Sequence, residues 1–201
     1  MLIQIETGDR RLLDSVAATM AEAARRSGAW LACRLGCTQC CIGPFAITQL
    51  DAWRLRRGLA AMEVEDPSRA AAVRARAAAY VEVIASSFPG DPSTAVLEDE
   101  DTLPESMKEA PCPALDPVTG ACELYVARPI TCRSFGPATR TGDESIAACE
   151  LCYESATEEQ MIACAVEVDP DGLEDELLAA LDCEGAGGKT LVAYALLDTN
   201  P

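Results

Sequence analysis

Apolar side chains recur at helical spacing near the N-terminus. Leu12, Leu13, Val16, Met20 and Ala24 predict an amphipathic helix from Asp9 to Arg26, with Gly28 as its stop. Thr48 with Asp51 three residues on is a helix-start arrangement, in which the two side chains serve amide groups that lack helical partners; it predicts a second helix to about Arg57. Asp66-Pro67 predicts a third, because a proline at the first helical position lacks only an N–H that would have no partner there. Its alanine-rich body, RAAAVRARAAAYVEVIA, runs to about Ser87, where FPGDP ends it.

Periodicity then disappears. Residues 89–111, PGDPSTAVLEDEDTLPESMKEAP, read as a long acidic connector. Asp116-Pro117-Val118-Thr119-Gly120 is a turn between two short apolar runs and predicts a small hairpin. Arg128-Pro129 begins a tight turn or short helix through Cys132. Further helices are predicted from about Glu158 to Val166 and from Asp169-Pro170 to about Leu181. The tail GAGGKTLVAYALLD fits a strand or a last helix equally. Its Gly187-Gly188-Lys189-Thr190 superficially resembles a phosphate loop, but Cys183 stands where the first glycine is required, which argues against nucleotide binding.

The length, 201 residues, suits one domain spanning 1–201. Within it, 9–88 hold the N-terminal helices and a first cysteine cluster, and 89–111 the connector. Residues 112–152 hold a second cysteine cluster, and 153–201 a C-terminal helical extension. At 49% hydrophobic the chain is not broadly disordered. No apolar run approaches the roughly 20 residues of a membrane span. The start, MLIQIETGDRRLLDS, lacks the basic head and apolar stretch of a secretory signal, so the expected location is cytoplasmic. The net charge of −17 is uneven: residues 1–90 carry 11 Arg against 9 acids, and residues 91–201 carry 5 basic against 24 acidic residues. That half is a solvated acidic surface or a face for a basic protein partner. Such a field repels phosphate, which disfavours nucleic acid.

Histidine is absent altogether. This excludes Ser–His and Cys–His nucleophiles, an imidazole proton shuttle and mixed Cys/His zinc sites. A transition-metal site must be built from thiolates and carboxylates. The supply is large: 11 Cys, an odd number, with Cys40 and Cys41 adjacent. A vicinal disulfide is strained, so thiols or metal ligands are the better assumption. The sharpest signal is Cys33-Arg-Leu-Gly-Cys37-Thr-Gln-Cys40-Cys41. Downstream, Cys112, Cys122, Cys132, Cys149 and Cys152 can converge on the same centre if the fold brings their loops together. Four thiolates close a tetrahedral zinc site or anchor an iron–sulfur cluster. Nine candidates exceed one such site and are one more than two sites need. Cys40 and Cys41, as neighbours, are expected to point in different directions, one of them able to serve a second metal. Arg34, Arg128 and Arg133 are close in sequence and can offset thiolate charge. Cys164 and Cys183, isolated on predicted helices, are expected to be buried small apolar residues.

The spacing Cys33-x3-Cys37-x2-Cys40 also matches the cluster motif of radical S-adenosylmethionine enzymes. Gln39 stands where those enzymes have an aromatic residue, and no strand–helix alternation follows.

A different resemblance covers more of the chain. Gly36-Cys37-Thr38-Gln39-Cys40-Cys41, then Cys112-Pro113-Ala114-Leu115, Cys122-Glu123-Leu124-Tyr125 and Arg128-Pro129-Ile130-Thr131-Cys132-Arg133-Ser134-Phe135 resemble the CxxCxxCC cysteine-cluster family, the YkgJ-type zinc- or iron-chelating domain. The likeness spans roughly 33–152, with the connector as an insertion. It implies metal chelation, with Cys37, Cys40, Cys41, Cys112, Cys122 and Cys132 as ligands and Cys149 or Cys152 completing the set. Arg128 or Arg133 is expected to donate to cluster sulfurs or a backbone carbonyl; the other reading of both is an ordinary surface ion pair. The expected architecture is mainly α, with irregular cysteine-rich loops and a small β-hairpin packed with helices around a thiolate metal centre. The expected function is to hold an iron–sulfur cluster or iron in a redox or maturation role. The alternatives are a zinc-stabilised protein-interaction module and a protein side-chain modifying enzyme. The last follows from the occurrence of this domain in flagellin lysine N-methylases, although this chain has no recognisable S-adenosylmethionine loop.

Overall fold

The computed structural model describes residues 2–34, 36–44, 46–99, 103–104, 107–140 and 145–197. The elements are, in order, α1 (Leu2–Ser27), β1 (Ala46–Thr48), α2 (Gln49–Glu65), α3 (Pro67–Ile84), β2 (Gly90–Asp91) and β3 (Val96–Leu97). There follow α4 (Ile130–Ser134), β4 (Thr139–Arg140), β5 (Ile146–Ala147), α5 (Glu158–Cys164), α6 (Leu173–Cys183), β6 (Lys189–Leu191) and α7 (Val192–Leu197). The protein is mainly helical, with small antiparallel sheets. The chain divides into two compact units, each discontinuous in sequence: Met1–Leu35 with Ile130–Leu177, and Gly36–Pro129 with Leu178–Pro201.

In the first unit α1 buries Ile5, Asp9, Leu12, Val16, Ala23 and Ser27, a stripe whose members lie three, four or seven residues apart, on one face of the helix. The helix begins before Asp9, the predicted start, because Ile5 and Asp9 continue that stripe. It packs on α4 and α5. Strands β4 and β5 pair with Thr139 opposite Ala147, and Val166 adds a parallel bridge to Thr139. Helix α5 opens with a capping box in which Thr157 accepts from the Gln160 N–H and Gln160 accepts from the Thr157 N–H. It ends at Cys164, short of the predicted Val166, because Ala165 and Val166 turn extended to join β4.

Tyr153 anchors the small core of this unit. Its N–H donates to the Trp30 carbonyl (2.9 Å), and its hydroxyl accepts from the Ala138 N–H (3.0 Å). Ser27 donates to the Ala23 carbonyl (2.7 Å), so the Tyr153 hydroxyl donates to Ser27 in the 2.5 Å contact between them. Around it lie Ala138, Cys149, Cys152, Cys164 and Ala165.

In the second unit α2, α3 and α7 pack together. Ile47, Leu55, Leu59, Val73 and Leu196 are each at most 1% exposed, and burying such a side chain is worth about 1.5–3 kcal/mol. Both predicted helix starts are present: Thr48 accepts from the Asp51 N–H and Asp66 from the Arg69 N–H, with Pro67 in the first turn. Helix α2 runs past Arg57, its predicted end, to Glu65. Gly58 is a packing residue there rather than a stop, since a Cβ on it would lie 2.4 Å from the Cβ of Ala127. Within α2, Asp51 and Arg54 form an ion pair with both side chains almost wholly buried.

A four-stranded sheet of order β1-β6-β3-β2 belongs to this unit. Ile47 pairs with Thr190, Leu97 with Lys189, and Gly90 with Leu97. The connector is therefore not featureless: its first part forms β2 and β3, whose two residues apiece are too short to show alternation. Its positions 100–102 and 105–106 lie outside the described residues. The tail is both strand and helix, with β6 passing directly into α7. Lys189 and Thr190 thus belong to an interior strand of the sheet, between β1 and β3, rather than to a phosphate loop. The hairpin predicted at 116–120 reduces to a tight turn, closed by a single bridge between Leu115 and Cys122. Asp169 does not start α6 directly; its carboxylate accepts from the Glu174 N–H (2.7 Å) across a turn at Gly172, and the helix begins at Leu173.

Candidate metal centre

All eleven cysteines are free thiols. In the second unit, backbone hydrogen bonds stitch three cysteine-bearing segments side by side. The Cys112 N–H donates to the Cys41 carbonyl (2.7 Å) and the Gly43 N–H to the Ala110 carbonyl (2.8 Å), which pairs 41–43 antiparallel with 110–112. Leu115 then bridges Cys122, and the Glu123 N–H donates to the Ala114 carbonyl (2.8 Å). Cys112 and Cys122 also pack against the α2–α3–α7 core. Four thiols, Cys40, Cys41, Cys112 and Cys122, thereby become neighbours although they are up to 82 positions apart in sequence. Cys37 sits at the start of the first of these segments, where Gly120 approaches Thr38 and Gly36.

The electrostatics show the crowding. Cys40 and Cys41 occupy one 3-10 turn, Gln39–Cys41, and their thiols hydrogen-bond each other rather than pointing apart. A turn this tight rotates successive side chains by about 120°, not the half-turn of an extended strand. That hydrogen bond holds Cys40 down at about 6, with help from the Arg128 guanidinium. Cys41 moves far upward, first because its proton serves Cys40 and then through burial and the charges of Cys40, Cys112 and Cys122. Burial pushes Cys112 up to about 12, and raises Cys122 as well. One thiolate is thus available near neutral pH, and an incoming cation must displace protons from the others.

Arg128 stacks over the Tyr125 ring at 3.7 Å and favours the thiolates of Cys40 and Cys122. Arg133 lies in the last turn of α4, and Arg34 beside Cys33, both in the first unit. Sequence reasoning missed a second pair of cations. Arg69 and Arg76, two turns apart on α3, both bind Glu123, whose side chain is 7% exposed; Arg76 also donates to the Pro113 carbonyl (2.8 Å). They clamp the residues that follow Cys122 and Cys112. The seven-residue spacing of the arginines was the available signal, but nothing in the chain says that Glu123 faces them. A cleft of about 490 Å³ borders Cys112, walled by Arg76, Tyr80, Val83, Met107 and Leu115.

The remaining thiols lie in the first unit. Cys149 and Cys152 are buried, Cys132 is half-buried on α4, and Cys33 is exposed after α1. Of the two expected bystanders, Cys164 is buried and its thiol donates to the Arg26 carbonyl (3.3 Å). Cys183 is exposed, because α6 buries none of its residues. As the side chains stand, no three Cys, Asp or Glu residues among those described form a group that could hold a metal ion. The gathered donors are nonetheless uniformly thiol, the chemistry that suits zinc, iron and iron–sulfur clusters.

A family model matches residues 32–160: CxxCxxCC, the putative zinc- or iron-chelating domain. Neither a curated protein nor a solved structure matches the chain. Among the described residues, no helix is long and apolar enough to cross a membrane.

Proposed function

Since the chain belongs to the CxxCxxCC family of zinc- or iron-chelating domains, we propose that it holds iron, as an iron–sulfur cluster or as bound iron, in a redox or maturation role in the cytoplasm. The observation that carries this reading is the stitching of Cys40, Cys41, Cys112 and Cys122 into one neighbourhood by backbone hydrogen bonds. Cys37 adds a further thiolate in the second unit, and Cys33, Cys132, Cys149 and Cys152 are the proposed ligands carried by the first unit. When bound, such a centre supplies one-electron chemistry whose potential depends on net charge and on hydrogen bonds to sulfur. Arg128 supports that role, because its guanidinium favours the charged form of two of the thiols. Arg133 is the second proposed donor to the sulfurs. The acidic half, residues 91–201, suits a basic protein partner.

Anaerobic purification followed by a visible spectrum and assays of iron, sulfide and zinc tests the reading. Brown protein with iron, with or without acid-labile sulfide, is the expected result. Colourless protein with stoichiometric zinc would replace it with the zinc-stabilised interaction module.

A further inference from the structure

The cleft of about 490 Å³ in the second unit runs between α3 and residues 107–117. Its helical wall is one face of α3, formed by Arg76, Ala79, Tyr80 and Val83 at the three- and four-residue spacing of a helix. Val83 is 63% exposed, so this apolar wall is open to solvent. The facing wall sets Met107 and Leu115 beside Pro111, Pro113 and Pro117. These prolines decide how a ligand can be held. Residues 110–112 already pair with 41–43 along one edge. On the other edge Pro111 and Pro113 have no N–H, and the Pro113 carbonyl accepts from Arg76 (2.8 Å). A further strand cannot add there, so an occupant is held through its side chains.

Charge sets the sign of that occupant. Arg69 and Arg76 act with two carboxylates, Glu123 and Asp116, which leaves no surplus cation on the helical wall. Glu109 lines the cleft, is exposed, and has no ion-pair partner among the described residues. Lys108, its neighbour in sequence, is not part of the lining. Residues 91–129, which supply the facing wall, carry nine acidic against two basic residues. We propose that this cleft docks an extended, basic segment of a protein partner, whose aliphatic side chains enter between α3 and the prolines while a lysine or arginine meets Glu109. The inference rests on the reading above that the acidic half meets a basic protein, and it gives that contact a place and a mode. An apolar cavity with a few polar groups at its rim is the common form of a binding site, and this one falls within the usual range of roughly 300–1,000 Å³. In an extended segment alternate side chains point the same way, so two of them can enter together.

The probe is a dye-labelled peptide, Lys-Lys-Leu-Ser-Leu-Lys-Lys, titrated with the full chain as purified and read by fluorescence anisotropy. Its controls replace both leucines by serine, or all the lysines by glutamate. The wild type should bind the leucine peptide at least about tenfold more tightly than the serine peptide, because aliphatic side chains are buried. The glutamate peptide should not bind. Val83→Asp should remove the leucine preference, and Glu109→Lys should weaken both lysine peptides severalfold. Both positions are exposed, so neither substitution disturbs the core. The two lysine peptides carry the same charge, so their ratio reports the cleft and not the general acidic field. Equal binding of the two, or a leucine preference kept in V83D, would overturn the cleft while leaving a basic partner elsewhere on the acidic half. Binding of the glutamate peptide as tight as that of the lysine peptide would overturn the assigned charge, and unchanged binding in E109K would overturn the Glu109 contact. Failure of both lysine peptides to bind would remove the basic-partner reading with the cleft. Iron and zinc assays on the same protein decide the chelation reading separately.

Discussion

The two units use the same residue type in opposite surroundings. In the second unit the thiols sit half-buried on loops laid over a helical core, coupled to one another and attended by Arg128 and Arg76. In the first, Cys149 and Cys152 are part of the core itself, packed with Tyr153 and Ala138. One set is therefore tuned by neighbouring charge, and the other is held by packing and backbone cross-links. A cysteine motif alone does not distinguish these roles. The environment of each thiol does, and the contrast can be broken at definite points.

The largest effect should come from Cys112→Ser. It removes the thiol at the junction of the three stitched segments, and metal assayed on the purified protein should fall by more than tenfold, in line with the roughly 10–100-fold cost of even a lost supporting contact. Unchanged metal would show that the second unit's thiols are not ligands.

Next is Asp51→Ala in α2, which removes the carboxylate paired with the buried Arg54. Breaking such a pair costs about 3–5 kcal/mol, which lowers Tm by about 10 °C for a chain of this size. A melt within 2 °C of wild type would show that Arg54 does not depend on Asp51.

The metal-free protein should then separate its thiols by pH. With Cys40 near 6 and Cys112 near 12, iodoacetamide at pH 7 should label Cys40 more than about a hundredfold faster, since the thiolate is the nucleophile. The same shifts fix how stability follows pH. Cys40, depressed in the folded state, stabilises fully above the ordinary thiol value and loses that contribution as pH falls toward 6. Cys112, raised, contributes below the ordinary value and loses its contribution as pH climbs from there toward 12. Metal-free stability measured by urea melts should therefore peak near the ordinary thiol value of about 8.5.

Smaller effects belong to the first unit. Tyr153→Phe removes the hydroxyl that Ser27 and the Ala138 N–H share, at a cost of about 1–3 kcal/mol for the buried groups left unsatisfied. Thr157→Ala removes half of the α5 capping box, for about 1 kcal/mol. Denaturant melts measure both. If Tyr153→Phe were silent, the hydroxyl would add nothing to the backbone tie at Trp30.

Local chemistry was legible in the chain to the extent that it was local. Thr48, Asp66 and Pro67 mark helix starts because capping involves only the next three residues. The cysteine loops and their order were equally plain, as was the thiolate character of any metal site in a chain without histidine. The end of α2 was not legible, because whether a glycine such as Gly58 ends a helix or packs inside it depends on a distant partner, here Ala127. The sheet was missed for a related reason. Strands of two or three residues carry no periodic signal, and β3 and β6 find each other only across 92 positions, from Leu97 to Lys189.

Sequence by itself determined that the protein is mainly helical, that its donors are thiols, and which segments carry them. Tertiary structure alone decided how those thiols are grouped: Cys40 with Cys112 and Cys122, and Cys33 with Cys149 beside Gly136. The reason is that helix caps and ligand identity are written in contiguous residues. Which loop lies against which depends on backbone hydrogen bonds and burial between distant segments, and these exist only in the folded chain.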